Sequence, residues 1–108
     1  MDEVPVVQIT TTVNSQEEAC RIAEAAVNQK LAACAQVTGP ITSFYVWKGE
    51  HCREQEWRIS MKTLKPLENM LTDFISKLHP YDTPELILLQ LDQVSQAYLE
   101  WMHHTLLD

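Results

Sequence analysis

Seven consecutive residues, His79-Pro80-Tyr81-Asp82-Thr83-Pro84-Glu85, bring together an imidazole, a phenol and two carboxylates. Imidazole and carboxylate are ligands for divalent metals, and phenol and carboxylate are groups that pass or hold protons. The two prolines fix φ at about −65° and exclude a helix, so the segment is a stiff loop. It leads straight into Leu86-Ile87-Leu88-Leu89, an apolar run of the length of a strand buried on both faces. The functional side chains therefore stand at a strand entrance, although Pro, Asp and Thr also make ordinary turns.

Other donors are scattered. His51-Cys52 and His103-His104 are adjacent pairs whose side chains diverge on a strand or a helix, so neither forms a compact metal site by itself. Cys34 lies in an Ala-rich apolar stretch, as a small core residue does. Glu56, Lys62, Tyr81, Asp82 and Glu85 supply acids and bases, but nothing fixes a nucleophile beside them. The GxSxG, HExxH, P-loop and GxGxxG patterns do not occur, so no enzyme activity is expected.

The elements that must position these groups are legible from periodicity. Val4 to Thr12 reads as a strand, and Ser15-Gln16-Glu17-Glu18 has the form of a capping box opening a helix with Ala19, Ile22, Ala23 and Ala26 on its apolar side. Leu31 to Val37 becomes strand-like and ends at the turn signal Thr38-Gly39-Pro40. Ser43 to Lys48 and Glu54 to Thr63 form a long hairpin around Gly49-Glu50-His51, with Trp57, Ile59 and Met61 on a buried face and Glu56, Arg58, Ser60 and Lys62 on the other. Pro66 marks a second amphipathic helix that stops at His79-Pro80, and Ser95 can cap a terminal helix after the buried strand ends near Leu91. The order β-α-β-β-α-β with an added C-terminal helix predicts an α+β, ferredoxin-like fold with both main helices on one face of an antiparallel sheet.

At 108 residues and 45% hydrophobic, the chain fits one domain spanning 1–108. A net charge of −7 repels phosphate backbones and anionic lipid, so neither nucleic acid nor membrane is an expected partner. The start Met1-Asp2-Glu3 lacks a basic and apolar leader, and the odd set Cys20, Cys34 and Cys52 is no disulfide framework, so a cytoplasmic location is expected. Tyr45, Trp47 and Trp57 alternate through a hairpin that cannot bury its own face, so packing against other subunits is expected of them.

The segments Lys30-Leu31-Ala32-Ala33-Cys34-Ala35, Ser43 to Glu50, Glu56-Trp57 through Lys62-Thr63, His79 to Glu85 and Tyr98-Leu99-Glu100-Trp101 together resemble the CutA family of divalent-cation tolerance proteins over essentially the whole chain. The resemblance implies a homotrimer built on the hairpin, an architecture like that of PII signalling proteins, and tolerance of copper and other divalent cations. It implies a binding cleft between subunits for a divalent metal ion or small-molecule ligand, with His79, Tyr81 and Glu85 from the loop and Glu56 and Lys62 from the hairpin. Copper-binding members use a cysteine near the end of the first strand and two adjacent histidines, and alignment puts Thr10 and Leu78 at two of those positions. Only His79 remains as a metal ligand, so weak binding of Cu(II) or another divalent cation is expected. A PII-like sensor of a small anion through Lys62, and an anchoring module, are the other functions the resemblance allows.

Overall fold

Alternating β-branched residues build the first strand, β1 (Val6–Val13), whose Val7, Ile9, Thr11 and Val13 are buried on one face. A computed structural model describes residues 4–108; the acidic start Met1, Asp2 and Glu3 lies outside them. After β1 come α1 (Gln16–Asn28), β2 (Cys34–Trp47), β3 (Glu50–Leu64), α2 (Glu68–Leu78), β4 (Ile87–Leu91) and α3 (Gln96–Leu107). The sheet order is β2-β3-β1-β4 with antiparallel pairing throughout, the ferredoxin-like arrangement expected from the sequence.

Two cores hold the sheet. Ala19, Ile22, Ala23 and Ala26 of α1, with Leu71 and Ile75 of α2, pack on Val7, Ile9, Ile59 and Met61. Small alanines let α1 approach closely, and each fully buried Ile or Leu contributes roughly 1.5–3 kcal/mol. Residues one step out of phase, Val6 and Leu64, face the other way and meet Leu99 and Met102 of α3. Helix α3 therefore covers one end of the opposite face.

The Ser15 hydroxyl accepts the Glu18 backbone N–H at 3.1 Å, as a cap should, but the Glu18 carboxylate turns to Arg21 instead of closing the box. Ser95 precedes α3 without a side-chain cap bond, and Pro66 sits in a single 3-10 turn, Lys65–Leu67, ahead of α2.

Three expectations are corrected. Thr38-Gly39-Pro40 is not a turn between strands: β2 runs through it, with Thr38 opposite Arg58 and Ile41 opposite Glu56, so one extra residue forms a bulge. The hairpin turn is Lys48-Gly49, both at positive φ (50° and 80°), which pairs Trp47 with Glu50 and gives the hairpin most of the molecule's 50 Å length. The strand β4 is not buried on both faces; it is an edge paired only to β1, and Ile87, Leu88 and Leu89 are exposed in the single chain.

Gly39 is dictated by contact, since a Cβ there would come within 2.7 Å of Trp57 Cγ. Trp57 packs on the main core and cannot retreat freely. Gly39→Ala should therefore destabilise the protein by about 1–3 kcal/mol, read as a lower denaturation midpoint at fixed protein concentration.

Candidate functional site

The loop leaving α2 is tied to the sheet by His79. Its ring is buried, its Nδ1 accepts the Tyr81 backbone N–H at 3.1 Å, and its Nε2 lies 3.0 Å from both the Thr12 carbonyl and the Thr11 hydroxyl. Because Nδ1 accepts, the neutral ring carries its proton on Nε2, which donates to the Thr12 carbonyl. Burial holds the imidazole below its ordinary pKa, opposed by the Thr12 hydrogen bond and by Glu56 and Glu18. The end of α2 is pinned from another side, where Arg21 of α1 donates to the Leu78 carbonyl at 2.8 Å.

This anchoring aims Tyr81. Its ring meets His79 edge-on at 4.9 Å between centroids, and its hydroxyl donates to Glu56 Oε2 at 2.8 Å. Burial, then the Glu56 hydrogen bond and charge, push the phenol well above its usual range, so it remains a donor. Glu56 itself is only 6% exposed. The strand alternation that puts Glu56 opposite the Trp57 face holds, and Glu56 is nonetheless buried, because Tyr81 closes over it from 25 residues away.

Glu56 and Tyr81 line an open cleft of about 710 Å³ between the loop and the hairpin base. Glu85 and Asp82 enter it from the loop and Glu54 from β3, while Tyr45 and Trp47 provide an aromatic wall. Thr12, Asn14 and Ser43 also line it and escaped sequence reasoning, because the registers of β1 and β2 on β3 bring Thr12, the residue after β1 and Ser43 there. A carboxylate-rich, aromatic-walled cleft of this size suits a small cationic ligand.

Two proposed site residues stand elsewhere. Lys62 is six residues along β3 from Glu56, about 20 Å at strand spacing, does not line the cleft, and gives its ammonium to Gln36 Oε1 at 3.1 Å. His79 is beneath the loop with both ring nitrogens engaged, so no lone pair faces a metal. Thr10 and Leu78 add no soft donor, and among the described residues no group of three or more His, Cys, Asp and Glu converges to hold a metal ion. His104 pairs with Asp108, and Cys52 donates to the Glu50 carbonyl, so those adjacent pairs do not converge either.

Residues 7–105 match the family model for the CutA1 divalent ion tolerance protein. A divalent-cation tolerance protein CutA of Thermus thermophilus is 36% identical over 94% of this chain and 95% of its own. The mouse protein CutA is 38% identical over 85% of this chain, which spans about half (52%) of that relative's length. The solved structure of CutA from Synechococcus elongatus superposes with a TM-score of 0.91 at 36% identity, covering 98% of this chain and 94% of the other.

The imidazole sets a pH dependence. Its folded pKa lies below the unfolded value of about 6.5, so its contribution to stability is full above that pH and is lost as pH falls toward the folded value. Denaturant midpoints should therefore drop below pH 6.5, and the drop should be shallower in His79→Gln. An identical pH profile in the variant would assign the titration to another group.

Proposed function

This chain belongs to the CutA1 divalent ion tolerance family, and from that premise we propose that it is a non-catalytic, trimeric protein that contributes to divalent-cation tolerance by binding a small cationic ligand at the Glu56–Tyr81 cleft. The observation that carries this reading is the Glu56 carboxylate, buried at the back of an open cleft with the Tyr81 hydroxyl as its hydrogen-bond partner. Glu56, Tyr81 and Glu85 are its binding residues. Copper capture through His79 is not part of it, because the ring is spent on the sheet and the loop. Anion sensing is not favoured, since among the described residues no lysine or arginine lines the cleft. The family is named for tolerance and not for a reaction, which supports a binding role. A reducing, cytosolic setting fits the free thiols Cys20, Cys34 and Cys52.

The trimer is supported by what the single chain leaves exposed. Edge strand β4 offers Ile87, Leu88 and Leu89 beside an unpaired backbone, and the hairpin offers Phe44 and Val46. Such an edge invites pairing with another chain. Light scattering at micromolar concentration should give the mass of three chains, and Leu89→Lys should reduce it. A monomeric mass for the unaltered protein would remove the assembly from this reading.

Function is tested by complementation. In a host sensitised to divalent metals by loss of its own tolerance protein, this chain should restore growth on elevated copper or zinc. Glu56→Gln should restore it poorly at equal expression and equal oligomeric mass. Full rescue by Glu56→Gln would move the function away from the cleft.

A further inference from the structure

We propose that the occupant of this cleft is an extended organic cation, an aliphatic diamine or polyamine, in preference to a bare metal ion. The inference deepens the reading of the Glu56–Tyr81 cleft as the binding site and rests on it. Its first support is Glu56. Oε2 accepts from Tyr81, whereas Oε1 has no hydrogen-bond partner and the carboxylate pairs with no lysine, arginine or histidine among the described residues. Among the described residues no buried side-chain oxygen or nitrogen is sealed without a partner, so Oε1 is open to the cleft that Glu56 lines. A carboxylate this buried and this incompletely paired calls for a cationic donor at that oxygen.

The second support is how the remaining charge is spread. Glu54, Asp82 and Glu85 share the cleft with Glu56, yet no three acidic, histidine or cysteine donors converge on one point among the described residues. One small ion would meet too few of them at once. A ligand with ammonium groups spaced along a methylene chain would meet several, one at Glu56 and the others toward Glu85 or Glu54.

The third support is the aromatic wall. Tyr45 and Trp47 border the same cleft, and aromatic faces receive ammonium groups and the methylenes between them. The hairpin already uses its rings this way: Lys48 Nζ lies 5.7 Å from the Trp47 ring and Arg53 Cζ lies 5.6 Å from that of Phe44. A hydrated metal ion gains little from such a wall.

The test is calorimetric titration of the assembled protein with spermidine and putrescine at about 0.15 M salt, which screens loose attraction to the acidic surface, with Mg(II) as the bare-cation comparator. Spermidine should bind saturably, one per chain, and more tightly than Mg(II). Glu56→Gln should weaken it about tenfold or more, and Glu85→Gln, at an exposed position, should weaken it several-fold without risk to folding. Glu24→Gln on the exposed side of α1 removes the same charge and should change nothing. Absence of saturation at millimolar amine, or equal weakening by Glu24→Gln, overturns the proposal. Saturable Mg(II) binding that Glu56→Gln abolishes, without amine binding, also overturns it while leaving the cleft as the cation site.

Discussion

One buried imidazole holds the candidate site together. His79 spends Nε2 on the Thr12 carbonyl of β1 and Nδ1 on the Tyr81 amide of its own loop, so sheet and loop are joined through a single ring. The Nδ1 bond requires the neutral form, because a proton there would face the Tyr81 N–H instead of accepting it, whereas Nε2 donates to the Thr12 carbonyl in either protonation state. The ring's depressed pKa and its structural task have the same origin, which is burial beneath the loop. Pro80 and Pro84 then narrow what the loop does beyond that anchor, and the Tyr81 hydroxyl arrives at Glu56 without a large ordering cost.

The hairpin supplies the other wall, and its geometry depends on the bulge at Gly39-Pro40. Without the extra residue on β2, every side chain from Ile41 to Trp47 would change face relative to β3. Ser43, Tyr45 and Trp47 share one alternation and all reach the cleft. Gly39 lets the bulged strand lie against Trp57, so the feature that aims the aromatic wall is itself seated on the main core.

Local pattern revealed the elements, and long-range pairing decided the site. Helix α1 announced itself through Ser15 and its alanines, α2 through the helical spacing of Leu67, Met70, Leu71, Phe74 and Leu78, and the loop through its prolines. The bulge was misread as a turn because Thr-Gly-Pro carries the same local signal in both settings. The apolar run of β4 was read as doubly buried because composition reports a need for cover and not where the cover comes from. Lys62 is expected in the cleft beside Glu56 because alternation assigns both to one face but not a distance along the strand. Likewise His79 looked like a ligand by residue type, and only its partners on β1 reveal a structural imidazole.

Cation selectivity in such a cleft follows from dehydration more than from charge. The net charge of −7 attracts every cation, so attraction alone distinguishes none of them. Reaching Glu56 Oε1 is different, because the carboxylate is only 6% exposed and a donor must shed water to contact it. Mg(II) dehydrates reluctantly and prefers near-octahedral oxygen ligation, which a buried carboxylate beside a phenol that is already donating does not complete. An ammonium on an alkyl chain surrenders less water and recovers contact from the aromatic wall. The Tyr81 hydroxyl already donates to Oε2, which disfavours the symmetric bidentate coordination that a metal ion would take and leaves Oε1 for a donor of another kind.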